Sequence, residues 1–313
     1  MFKLEELSWP QLEALDRAHT VIFIPISPVE EHGPHLPLGT DMYTCLGFTE
    51  AIAVRLEQQH PELTAVLVPI TPLGSGTAPY LGSIGVPPRM VQDVLLRMGR
   101  AFARDGFRYI VTISGHLALS QLMTMERTAR KISKRYGIQM IALGASVFRS
   151  ALRSPDLLQA CAGLSEPISK VTLESLARPH HAGALETSLM LHLRPDLVQP
   201  EFRQLEPISP WRFVRWRGWT REHWPGYIGE PAQARADLGR AVLAAAADCG
   251  ADLVARVVAG DTVLPEEVAP LTRGASRIVF GASLVLGVVS LVSALVGVGF
   301  RRRNGGIGRQ KAT

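Results

Sequence analysis

Between Pro28 and Asp41 the chain reads Pro-Val-Glu-Glu-His-Gly-Pro-His-Leu-Pro-Leu-Gly-Thr-Asp. Two adjacent carboxylates, Glu30 and Glu31, two imidazoles, His32 and His35, and the carboxylate of Asp41 thus share one stretch braced by proline and glycine. Imidazole and carboxylate without thiolate form a borderline-hard ligand set that suits zinc, manganese or iron. In extended chain alternate residues share a face, so Glu30 and His32 point one way and Glu31 the other. His116 comes directly after an apolar run, and a third polar segment, Ala177 to Thr187, carries His180, His181 and Glu186. An imidazole titrates where proton transfer is useful, which makes His181 a candidate for moving a proton and Glu186 a candidate for orienting it or activating water. His19, His60, His192 and His223 lack such companions.

The segments between these residues alternate between strand and helix. Ser8 to Ala18 reads as a helix with Pro10 in its first turn, and Thr20 to Ile26 as a buried strand. Helices follow at Thr44 to Gln59, Arg89 to Asp105 and Gln121 to Tyr136, with strands at Leu63 to Ile70, Tyr109 to Ser114 and Gln139 to Gly144. Such alternation predicts an α/β fold with a parallel sheet covered on both faces. Ligands bind beyond the carboxyl ends of such strands, where Ser27 to Asp41 and Gly115-His116 both emerge. Leu189 to Leu193 reads as helix, 199–231 as a long loop able to lid the site, and Ala232 to Ala259 as a strong helix.

Composition narrows the function classes. The net charge is +5, but Arg301, Arg302, Arg303, Arg309 and Lys311 account for all of it, so residues 1–300 are neutral and no nucleic-acid partner is expected. Three cysteines at unrelated spacings support neither a disulfide framework nor a thiolate zinc cluster. Gly74-Ser-Gly-Thr-Ala lacks the lysine of a phosphate loop, and Gly115-His116 lacks the spacing of a nucleophile elbow.

The residues from Glu30 to Asp41 match the first motif of the creatininase family, E-x-H-G-x-H-L-P-L-x-T-D. The family's H-A-G-x-x-E-T-S motif is intact at His181 to Ser188, and its N-G-H-G-G-N motif corresponds to Ser114-Gly-His-Leu-Ala-Leu119. The chain therefore resembles that family over roughly residues 5–260. The resemblance implies a three-layer α/β/α domain spanning 1–262 and two divalent-metal sites: Glu30 at one metal with His116, His32 at the other, and Asp41 bridging both. It implies a metal-dependent amidohydrolase acting on non-peptide C–N bonds of a cyclic amide, a formamide or a peptide-derived substrate. Activated water attacks the amide carbon and the amine leaves after protonation. His181, Glu186 and Glu31 are the candidate catalytic set, Glu31 standing where many relatives have glutamine. A closed homo-oligomer, often a hexamer, is implied as well. Creatininase itself carries a glutamate ligand two residues after the second-motif histidine, and Ala118 cannot serve there. That argues against creatinine as substrate and against a fully occupied second metal position. The altered segment also fits an alternative: a catalytically impaired metal-binding or scaffold protein of the same fold.

From Ile278 to Phe300 no charged residue occurs. As helix this stretch would span about 34 Å, enough for a bilayer core. The sequence thus predicts a linker at 263–277, a single C-terminal transmembrane helix at 278–300 and a basic tail at 301–313. With no secretory signal at the N-terminus, the expected location is the cell membrane with the catalytic body cytoplasmic.

Overall fold

The computed structural model describes residues 1–164, 166–169, 173, 181–209 and 224–261. Five strands form one parallel sheet: β1 (Phe2–Lys3), β2 (Thr20–Pro25), β3 (Thr64–Leu67), β4 (Tyr109–Ile113) and β5 (Gln139–Leu143), in the order β1-β3-β2-β4-β5. All four pairings are parallel, with Val21 opposite Ala65 on one side of β2 and opposite Tyr109 on the other. The six residues of β2 are buried throughout, as a strand covered on both faces requires.

Successive strand side chains point to opposite faces and so feed two separate cores. Val21, Phe23, Val111, Ile113, Ile141 and Leu143 pack with α2 (Thr40–Gln59), α5 (Ala145–Arg153), α6 (Pro155–Ala162), α7 (Ala184–Leu193) and α8 (Ala236–Val258). Ile22, Ile24, Val66, Ile110 and Met140 pack with α3 (Pro88–Arg104) and α4 (Leu119–Tyr136). The result is a three-layer α/β/α architecture. Beyond β2 the chain enters α2 on one face, and beyond the adjacent β4 it enters α4 on the other. The crevice between these diverging connections is the point where such sheets hold ligands.

Several boundaries differ from the sequence reading. α1 spans only Trp9–Glu13, because the Arg17 guanidinium takes the carbonyls of Leu12, Glu13 and Leu15 and ends the helix early. α2 begins at Thr40 rather than Thr44, so Asp41 sits in its first turn instead of on a loop. α7 begins at Ala184, inside the segment expected to be a polar connection, and places Glu186 in a first turn. Helices α5 and α6 and the edge strand β1 were not anticipated. Part of the 199–231 loop has regular structure, with short 3-10 turns at Pro200–Gln204 and Pro231–Gln233 and single bridges between Ile208 and Gly229 and between His181 and Ile228. The predicted linker, transmembrane helix at 278–300 and basic tail lie outside the described residues. Among the described residues no helix is long and apolar enough to cross a membrane.

Candidate metal centre

Gly115 is what lets two distant segments meet. A Cβ at this position would collide with the Asp41 carbonyl and the Thr44 hydroxyl, so only glycine allows the turn after β4 to lie flush on the first turn of α2. The turn is then fixed by serines: the His116 N–H donates to Ser27 Oγ and Ser114 Oγ, both at 3.2 Å, and Ser114 Oγ donates to the His116 carbonyl. Ser114, which stands in place of the family asparagine, therefore still anchors the backbone of the histidine.

The side chains so placed form two groups. In the first, His116 Nδ1 lies 2.9 Å from Glu30 Oε2 and 3.2 Å from Asp41 Oδ2. In the second, His32 Nε2 faces Glu186 Oε2 at 3.8 Å with His181 beside them, the His32 and His181 rings being 4.4 Å apart. Asp41 joins the groups, since its Oδ1 lies 3.4 Å from His32 Nε2. All four residues expected as ligands, Glu30, His32, Asp41 and His116, thus converge, and none is more than 7% exposed.

Burying this many charges is costly unless each atom finds a partner. Glu30 Oε2, Asp41 Oδ2, His32 Nε2 and His116 Nε2 are buried and make no hydrogen bond among the described residues. Two carboxylate oxygens are held by backbone: Glu30 Oε1 accepts from the Ala78 N–H at 2.6 Å, and Glu186 Oε2 from the Ala182 N–H at 2.6 Å. Ala182 adopts a left-handed φ of 51°, which costs strain and aims that N–H at the carboxylate. His32 Nδ1 donates to the Glu30 carbonyl at 3.0 Å, leaving Nε2 to face the carboxylates. The residues present fit divalent cations.

The electrostatics agree. Burial works against a charged His32, but the Asp41, Glu186 and Glu30 carboxylates overcome it and raise its pKa to about 10. His116 is likewise raised, against burial, by Glu30 and Asp41. Asp41 is pushed the other way: burial raises it, and His32 and His116 pull it far below the carboxylate range. These are the shifts of acids and bases packed together to share positive charge.

Of the candidate catalytic residues, His181 and Glu186 belong to the second group and Glu31 adjoins it. His181 Nε2 donates to the Glu31 carbonyl at 2.6 Å and lies 3.6 Å from Glu31 Oε2, so Nδ1 is the nitrogen without a hydrogen bond among the described residues. Despite burial, His181, Trp224 and the Gly33 N–H hold the Glu31 carboxyl below its ordinary value. His35 does not join the centre. Its Nε2 bonds Thr187 Oγ1 at 2.9 Å, and burial with the nearby His32 lowers its pKa to about 4. Sequence reasoning missed Ser27 and Trp224; Trp224 donates from Nε1 to Glu31 Oε2 at 3.1 Å. No local pattern marks either residue, because each acts across a long-range contact.

The sequence profile described as "Creatininase: Creatinine amidohydrolase" matches residues 5–254. The chain belongs to the creatininase family. Creatininase-family proteins are metal-dependent amidohydrolases. A relative named mycofactocin precursor peptide peptidase, from Mycobacterium ulcerans, is 25% identical over 262 residues, covering 81% of this chain and 91% of its own. The creatinine amidohydrolase of Pseudomonas putida is 25% identical over 202 residues, covering 62% and 72%. Among solved structures, creatinine amidohydrolase (creatininase) superposes with a TM-score of 0.62 at 21% identity, covering 82% of this chain and 97% of that one. One titled "Creatininase Mn" gives 0.59 at 21%, covering 86% and 99%. These two likenesses establish the creatininase fold.

Proposed function

We propose that the chain hydrolyses a C–N amide bond with two divalent cations, Glu30, Asp41 and His116 holding one and His32, Asp41 and Glu186 the other. The observation that carries this reading is Asp41, whose two carboxylate oxygens face His116 at 3.2 Å and His32 at 3.4 Å, with Asp41 Oδ2, Glu30 Oε2 and His32 Nε2 buried and without hydrogen-bond partners among the described residues. Zinc, manganese or iron bound there would polarise an amide carbonyl and bring the pKa of water near neutrality.

The chain's own residues position the rest. His181 carries its hydrogen on Nε2 toward the Glu31 carbonyl, so Nδ1 takes up a proton and returns it to the departing amine. Glu186, held by the Ala182 N–H, keeps its carboxylate beside His32 and His181. Glu31 orients His181 from behind.

The substrate is a cyclic amide, a formamide or a peptide-derived amide, and we favour the last. Relatives matched over most of their length are named as peptide peptidases, so a restriction to non-peptide bonds is not kept. Ala118 supplies no metal-ligating carboxylate of the kind creatininase carries two residues after this histidine, which argues against creatinine. We further propose that residues 1–262 form a body tethered to the membrane by 278–300, a tether that the uncharged run ending in three arginines supports.

The test is metal analysis of the purified full chain with assays of amine release from creatinine, formamides and short peptides. Stoichiometric metal and turnover lost in His116→Ala support the enzyme. Absence of turnover on any amide favours the impaired metal-binding or scaffold protein that the Ser114 to Leu119 segment suggests, and metal-free protein contradicts the enzyme and favours the scaffold.

A further inference from the structure

Trp224 lies outside the three polar stretches, yet its indole reaches the residue beside His181. We propose that Trp224 is a positioning residue that acts through Glu31 on His181, an inference that rests on the hydrolytic reading above.

Glu31 is held at each of its polar atoms. Its N–H donates to Ser83 Oγ at 3.0 Å and its carbonyl accepts from His181 Nε2 at 2.6 Å. Oε1 accepts from the Gly33 N–H at 3.0 Å, and Oε2 accepts from Trp224 Nε1 at 3.1 Å while lying 3.6 Å from His181 Nε2. The carboxylate is thus pinned from two sides, by a backbone N–H and by the indole N–H. Without the indole, Oε2 loses the N–H that holds it at 3.1 Å, and the group can turn away from the imidazole.

The indole is itself placed firmly. Its ring stacks on Tyr80 at 5.2 Å and 12°, and the His181 ring lies 6.2 Å away. Two residues on, Gly226 has a φ of 85°, and a Cβ there would collide with Glu31 Oε1 and Gly33. The chain at 224–226 therefore runs flush along the Glu31 turn, and the bridge from Ile228 N–H to the His181 carbonyl at 2.7 Å locks it to the third polar segment. Indole, carboxylate and imidazole form a chain of three groups from three separate parts of the sequence. Its end product is a fixed ring, protonated on Nε2 and held beside His32 and Glu186. Partners that orient an active-site imidazole in this way typically affect activity about 10–100-fold.

Trp224→Phe keeps an aromatic ring against Tyr80 but removes the pyrrole ring with its N–H. The expected result is a kcat about 10–100-fold lower, with KM within about twofold and metal content unchanged. Glu31→Gln should fall by a similar factor, and Trp224→Phe should add little in that background, because both changes break one chain. Wild-type kcat in Trp224→Phe, or the same loss with and without Glu31→Gln, overturns the proposal. Ring-nitrogen NMR of His181 reads it without turnover: the wild type should show the Nε2-protonated tautomer alone, and Trp224→Phe a mixture. Should Trp224→Phe not fold, Glu31→Gln reads the same spectrum. If no amide is hydrolysed the functional reading fails, but an unchanged tautomer in the variants is what removes this inference.

Discussion

His32 Nε2 lies 3.8 Å from Glu186 Oε2, although one residue leaves the end of β2 and the other sits in the first turn of α7. The pair supplies carboxylate and imidazole on the side of Asp41 away from His116. That matters because Ala118 removes a carboxylate from the loop after β4, and Glu186 is where the second group finds its own.

Glu186→Gln should therefore lower the metal content from two ions per chain to one. The first group, which does not use Glu186, keeps its ion. Metal analysis after dialysis checks this, and two retained ions would assign the second group elsewhere.

Ser27 and Ser114 hold the His116 backbone without touching the centre's ligand atoms. Ser27→Ala is expected to weaken metal binding by about 10–100-fold while leaving stoichiometry at saturation unchanged. Competition with a chelator measures it, and Ser27→Ala affinity equal to wild type would show that Gly115 alone sets the turn.

Much of this was legible in the residues. The strands β2 to β5 announce themselves because a strand buried on both faces must be apolar at every position, and the motif between Glu30 and Asp41 names its own chemistry. The start of α2 was hidden because the prolines and glycines of that motif read as loop up to Thr44, although the helix begins at Thr40. α5 and α6 were missed because Ser154-Pro155 cuts them into pieces of 9 and 8 residues, short for a helix to be recognised from sequence. Trp224 was out of reach in principle: its partner Glu31 is far away in sequence, and only the folded chain brings an indole N–H to a carboxylate.

Gly115→Ala should destabilise the fold, since the new methyl meets the Asp41 carbonyl and the Thr44 hydroxyl. The expected loss is about 1–3 kcal/mol, with metal binding impaired beyond what stability explains, because the same turn spaces His116 from Asp41. Thermal melting and metal analysis of the variant together test this. An unchanged Tm would mean that the turn can shift freely.

Metal and proton compete for the same atoms. In the metal-free protein His32, its pKa raised to about 10, is protonated at neutral pH, so binding a divalent ion must release protons. The sign for stability follows. A group raised above its unfolded value of about 6.5 stabilises the metal-free fold fully below that pH, and the contribution is lost as pH rises toward about 10. Asp41, depressed by His32 and His116, works oppositely and loses its contribution only as pH falls below the ordinary carboxylate range. The metal-free Tm is expected to decline between pH about 6.5 and 10, with a smaller decline in the loaded protein; titration calorimetry in buffers of different ionisation enthalpy should detect proton release. No release at pH 7.5 would place His32 outside the ligand set.

The central claim is that Asp41 is shared between two cations. Anomalous diffraction from the full chain loaded with manganese or zinc tests it directly. The account predicts two peaks flanking the Asp41 carboxylate, one against Glu30 and His116 and the other against His32 and Glu186. A single peak away from Asp41, or no peak while these side chains hold the same positions, would contradict it.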